Sequence, residues 1–82
     1  ELRPQALADH LDSKSRLQEI MQRDGEMPEY EFISMEGPPH APKFSYRVRA
    51  GVRALGEGSG SSKQSAQQAA ARDALKRMGA LS

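Results

Sequence analysis

The sequence predicts an α+β domain, a three-stranded antiparallel sheet with two helices packed on one face, in the order α-β-β-β-α. Three observations predict it. Apolar residues recur at helical spacing in one segment near each end of the chain. The stretches between them are short, alternating or β-branched, and bounded by glycine and proline. At 82 residues the chain holds one domain at most, with a thin core in which small residues must pack closely.

Taken in order, residues 1–11 place Leu2, Ala6, Leu7 and Leu11 near helical spacing behind Pro4, and are read as a linker or the tail of a preceding domain. The domain itself is expected over residues 12–78, with 79–82 as a C-terminal tail. Asp12 or Ser13 supplies a side-chain oxygen to cap a helix, and Gly25 supplies its left-handed stop. Between them run two stripes. Leu17, Ile20 and Met21 make an apolar face, and Ser15, Gln18, Glu19 and Gln22 make a continuous polar one.

Tyr30 to Met35, entered from Pro28, reads as a strand. Gly37, Pro38, Pro39 and Pro42 break it and force a stiff loop containing His40. Phe44, Tyr46, Val48 and Ala50 then alternate with Ser45, Arg47 and Arg49, the pattern of a half-buried strand. Gly51 turns the chain into a short third strand, Arg53 to Glu57. Gly56, Gly58 and Gly60 are read as a flexible loop, after which Ser61 or Ser62 caps a long helix reaching about Met78. In that helix Ala66, Ala70, Ala74 and Met78 stack at i+4, widened by Ala69, Ala71 and Leu75. An alanine face lets a helix backbone sit close to a sheet.

Composition excludes several classes. Without cysteine there is no disulfide, thiolate metal site or thiol nucleophile, which suits a reducing compartment and an expected cytoplasmic setting. No apolar run approaches the roughly 20 residues of a spanning helix. The chain starts at Glu1 rather than Met, so it is expected to be a piece of a longer protein. Its formal charge of +1 hides an asymmetry: residues 1–42 carry a net −5 and residues 43–82 a net +6.

Catalysis is not expected of this chain alone. His10 and His40 lie in unrelated segments, and Asp24, Glu26, Glu29, Glu31 and Glu36 are scattered over a turn and a strand. No spacing pairs two carboxylates for metal binding or acid–base work, so neither a metal site nor a resident cofactor is expected. The run from Gly56 to Lys63 also fails as a P-loop, because two serines separate the last glycine from the lysine. What survives is a helix N-terminus with free N–H groups, serine hydroxyls and Lys63, a general phosphate site.

Three features fit one ligand. The polar stripe of the first helix offers donors and acceptors to 2′-hydroxyls and base edges in a shallow minor groove. His40 sits where its loop can enter a second minor groove. Lys63 and its helix end would meet phosphates across the major groove between them. Recognition of duplex RNA by shape uses this minor–major–minor order over about 16 bp. Arg47 and Arg49 alternate with the apolar residues of their strand and so point away from such a surface. They are read, with Arg53, as solubilising or subunit-facing charges. The open sheet face offers no aromatics for stacking single-stranded bases.

The same residues resemble a known family. Asp12-Ser13-Lys14-Ser15-Arg16-Leu17-Gln18-Glu19, then Pro28-Glu29-Tyr30, Glu36-Gly37-Pro38-Pro39-His40 and Phe44, are similar to the opening of the double-stranded RNA-binding domain, most of all the one closing bacterial ribonuclease III. Gly56-Glu57-Gly58, Ser62-Lys63, Ala66, Ala70-Ala71 and Ala74-Leu75 match its final loop and helix. The resemblance places Ser15, Gln18, Glu19 and Gln22 in a first RNA-contact region, His40 in a second, and Ser62, Lys63 and Gln64 in a third. It also implies a longer protein: a homodimeric, magnesium-dependent endonuclease cutting duplex RNA, whose catalytic carboxylates lie outside this chain. The fragment itself is expected to be a monomer needing no cofactor, with residues 1–11 as the junction to the nuclease domain. The family pattern favours lysine at positions 63, 64 and 67, and only Lys63 is kept here, so binding is expected to be real but modest. The competing expectation is a degenerate domain that serves protein interaction or dimerisation instead.

Overall fold

The structure, a computed structural model, describes residues 12–80. The linker expected over 1–11 and the last two residues of the expected tail lie outside the described residues.

Asp12, not Ser13, caps the first helix, α1 (Ser13–Arg23). Its carboxylate accepts from the Ser15 backbone N–H at 3.3 Å and from the Ser15 hydroxyl at 2.6 Å. Gly25, at φ +71°, ends the helix. There the Gly25 N–H donates to the Gln22 carbonyl and the Glu26 N–H to the Met21 carbonyl, which satisfies two carbonyls the helix leaves free.

Three strands follow as an antiparallel meander, β1 (Glu29–Glu36), β2 (Lys43–Ala50) and β3 (Arg53–Gly60), in spatial order β1-β2-β3. Gly51 (φ +62°) opens the two-residue turn between β2 and β3, where a positive φ suits the twist of a tight hairpin. The second helix, α2 (Lys63–Arg77), starts from Ser62 in a capping box with Ser65. Beyond its end, Gly79 takes a positive φ and the Ala80 N–H donates to the Leu75 carbonyl, so the first residues of the expected tail close the helix.

Both helices lie on one face of the sheet. The core gathers Leu17 and Met21 from α1, Tyr46, Val48 and Ala50 from β2, Leu55 from β3, and Ala66, Ala70, Ala71, Ala74 and Leu75 from α2. The alternation expected of β2 is observed. Met78 departs from the expected stripe: it is the C-cap of α2 and partly exposed. Phe32 meets Tyr46 edge-on, with ring centroids 5.7 Å apart, yet stays half exposed beyond the cover of α1.

Gly56, Gly58 and Gly60 do not form a flexible loop: all three lie in β3, which runs past Glu57 through Gly58, Ser59 and Gly60, and they pair with Val48, Tyr46 and Phe44. All three turn toward α2. A Cβ on Gly56 would stand 2.5 Å from the Ala74 backbone nitrogen and 2.8 Å from the Ala70 carbonyl oxygen. One on Gly58 would overlap the backbone of Ala69 and Ala70. Side-chain absence, not backbone freedom, is what these positions supply. The i+2 glycines of the strand and the i+4 alanines of the helix let the two backbones touch. Asp73 of α2 completes the contact by accepting from the Glu57 N–H at 2.9 Å, which occupies part of an otherwise open sheet edge.

Candidate nucleic-acid interface

Each candidate residue inherits its place from these elements. Ser15, Gln18, Glu19 and Gln22 form the solvent face of α1, opposite Leu17 and Met21, and all are exposed. A shallow polar depression at the start of the helix is lined by Asp12, Ser15, Arg16 and Glu19. Arg16 is a cation that the stripe argument passed over. It escaped because it lies between two periodic faces and belongs to neither. The Ser15 hydroxyl donates to Asp12 and keeps its lone pairs, so toward a ligand it is an acceptor.

His40 sits at the apex of the β1–β2 loop. The Ala41 N–H donates to the Pro38 carbonyl at 3.0 Å, closing a turn over Pro39 and His40. Gly37 enters the loop at φ +91°, and a Cβ there would stand 2.8 Å from the Ala41 carbonyl oxygen. The loop therefore has little freedom, and the imidazole projects into solvent from a fixed base.

Ser62 plays a different part from Lys63 and Gln64. Its hydroxyl accepts from the Ser65 N–H at 3.1 Å, while the Ser62 N–H donates to the Ser65 hydroxyl at 3.0 Å. This side chain is engaged in shaping the helix end. Lys63 and Gln64 occupy the first turn, exposed, where backbone N–H groups point out of the helix and favour an anion. Strand register brings this end near the loop: Phe44, next to the β1–β2 connection, pairs with Gly60, two residues before the cap. The second and third candidate regions thus share one end of the sheet.

The first region is tied to them through a polar bracket between the helices. The Gln68 side-chain carbonyl accepts from the Lys14 backbone N–H at 3.1 Å, while its amide donates to the Asp12 carboxylate at 2.9 Å. The Lys14 ammonium donates to the Gln67 side-chain oxygen at 2.6 Å and lies 4.8 Å from the centroid of the Tyr30 ring. Hydrogen bonds from Ser15 first and Gln68 second hold the Asp12 carboxyl below its usual range, so the cap is ionised at neutral pH. Burial, with the Asp12 charge nearby, pushes the Tyr30 phenol up to about 12. Gln67 thus places an acceptor where a lysine would set a second cation against Lys14. Sequence reading gave no warning of this bracket, because polar pairs more than fifty positions apart leave no periodic trace.

Across the sheet, Arg47 and Arg49 do lie on the face opposite the helices, where Ser45 and Ser59 also sit. Arg53 does not: it pairs with Ala50 and bonds Glu26 beyond α1 at 2.8 Å, so it belongs to the helix side at the far end of the sheet.

A family model described as "Double-stranded RNA binding motif" matches residues 13–78. The Ribonuclease 3 of Clostridium botulinum (strain Eklund 17B / Type B) is 48% identical over 69 residues, which are 83% of this chain and 30% of that protein. The Ribonuclease 3 of Roseiflexus sp. (strain RS-1) is 52% identical over 66 residues, 79% of this chain and 28% of its own. The chain therefore spans about three-tenths of the length of these bacterial relatives. Among solved structures, Dicer from Pichia stipitis superposes with a TM-score of 0.68 at 31% identity, covering 82% of this chain and 33% of Dicer. Arabidopsis HYL1 superposes at 0.65 and 37% identity, covering 82% of this chain and 96% of that one.

Proposed function

The chain belongs to the double-stranded RNA binding motif family, and from that premise we propose that it holds duplex RNA by shape as the substrate-binding domain of a ribonuclease III-like endonuclease. The observation that carries this is the arrangement of three exposed regions on one rigid frame: the α1 stripe, the His40 loop and the Lys63 helix end. Ser15, Gln18, Glu19 and Gln22 would exchange hydrogen bonds with 2′-hydroxyls and base edges in one minor groove. His40 would do so in the next, and Lys63, Gln64 and the helix end would meet the phosphates between. Ser62 would act through the cap, by holding those N–H groups in place.

Cleavage is proposed for the part of such a protein that lies outside this chain, as are its dimerisation and its cytoplasmic setting. Among the described residues no group of three or more His, Cys, Asp or Glu side chains comes together to hold a metal, and the magnesium implied for the nuclease is proposed to belong with the catalytic carboxylates outside this chain. No helix among them is long and apolar enough to cross a membrane.

Competition between RNA and DNA duplexes of equal length tests the proposal. Preference for RNA of about tenfold or more is expected, because only RNA carries the 2′-hydroxyl. Equal binding of both, or of neither, would favour a protein-interaction module. Within the same assay Gln64→Lys is expected to tighten binding and to steepen the dependence of log K on log salt by about 0.9, the release accompanying one added phosphate contact. An unchanged slope would mean that position 64 does not face a phosphate.

A further inference from the structure

The open face of the sheet carries a charge pattern that the RNA-binding surface does not use. Register places Glu31, Arg47 and Glu57 in one row across β1, β2 and β3, with Glu29 opposite Arg49 in the row beside it. Arg47 reaches Glu57 at 3.0 Å and Glu31 at 3.8 Å. Arg49 reaches Glu31 at 3.4 Å and Glu29 at 3.6 Å. Each arginine therefore has two carboxylates, and this face has more acid than base although it belongs mostly to the basic half of the chain.

The network contributes to stability, at about 0.2–1 kcal/mol for each cross-strand pair, but that contribution does not bear on which surface a nucleic acid meets. Long-range compensation is ruled out, because screening at physiological ionic strength limits free charges to about 8 Å. An arginine on this face can be neutralised only by its immediate neighbours. Left alone, Arg47 and Arg49 would form a flat cationic patch with nothing around it shaped to a minor groove. Attraction to phosphate does not distinguish RNA from DNA or one register from another.

We propose that Glu29, Glu31 and Glu57 determine specificity by keeping nucleic acid off the open sheet face, so that a duplex is held only by the surface of α1, the His40 loop and the start of α2. This rests on the duplex-RNA function proposed above. The three carboxylates touch no RNA. They act by occupying the arginines, which leaves shape-reading contacts as the route to binding.

The test replaces them by their neutral isosteres, Glu29→Gln, Glu31→Gln and Glu57→Gln together, in the 82-residue chain. Affinity for a duplex RNA and a duplex DNA of equal length is measured over a range of salt, with a thermal melt to establish folding. DNA affinity at low salt is expected to rise about tenfold and its salt slope to steepen by about two units, the release expected from two freed arginines. RNA preference should shrink accordingly. Adding Arg47→Gln and Arg49→Gln should return DNA binding to its starting level. Glu31→Gln alone, which removes the carboxylate shared by both arginines, should give a smaller change of the same sign and serves if the triple variant does not fold. Unchanged DNA affinity and slope in the folded variant would overturn the proposal, as would a gain that survives removal of the arginines. A starting chain without RNA preference would instead overturn the proposed function, because the guarding effect is read from the gain in DNA binding.

Discussion

Gly58→Ala is expected to destabilise the domain by about 3 kcal/mol or more and to lower its melting temperature by over about 10 °C. The added methyl group would overlap the Ala70 backbone nitrogen and the Ala69 carbonyl carbon and Cβ, all parts of α2 that cannot move singly. Relief requires the whole helix to lift from β3, which opens the packing of Ala66, Ala70 and Ala74 against the sheet. For a domain of this size such a loss is a large fraction of total stability. Gly25→Ala is the control: its Cβ would meet nothing within 4 Å, so only the positive φ opposes it and the cost is about 1–2 kcal/mol. Thermal melts of the two variants separate the effects. Near-native melting of Gly58→Ala would mean that strand and helix do not approach as closely as described.

Lys63→Ala and His40→Ala are expected to weaken duplex-RNA binding about tenfold each while leaving the melting temperature within a degree or two, since both side chains are exposed. They should differ in kind. Lys63 is assigned to phosphate, so its loss should flatten the salt slope by about 0.9 and weaken RNA and DNA binding alike. His40 is assigned to the minor groove, so its loss should leave the slope nearly unchanged and fall mainly on RNA. Binding isotherms at four or five salt concentrations read both effects. Two variants with the same slope and the same RNA-to-DNA ratio would contradict the separate assignments. The stiff β1–β2 loop gives the His40 variant its interpretive value, because the Pro38–Ala41 turn and the Gly37 entry form without the imidazole.

Much of this is legible in the sequence. Leu17, Ile20 and Met21 marked the buried face of α1, Gly25 its stop, and the alternation through Phe44, Tyr46, Val48 and Ala50 the central strand. These are local signals, set by one element's own period. The glycines were misread because glycine marks both freedom and close approach, and only the partner surface decides which applies. Here the partner was in the sequence as well: Gly56, Gly58 and Gly60 at strand spacing are complementary to Ala66, Ala70 and Ala74 at helix spacing. The bracket of Asp12 and Lys14 with Gln67 and Gln68 left no comparable trace. The Glu–Arg–Glu row was hidden for a related reason, since two register shifts, at Phe32/Ser34 and at Val48/Arg49, decide which charges face each other. Net charge was informative only once placed. The basic half of the chain holds Lys63 at the proposed phosphate site, but also arginines matched by glutamates on the far face.

One measurement tests the central claim most directly, the mapping of backbone amide shifts in the isotopically labelled chain as a duplex RNA of about 16 bp is added. The largest changes are predicted at Ser15, Gln18, Glu19 and Gln22, around His40, and at Lys63 and Gln64, with Glu31, Arg47 and Glu57 nearly unmoved. Shifts concentrated on that Glu–Arg–Glu row, or none at saturating RNA, would contradict it.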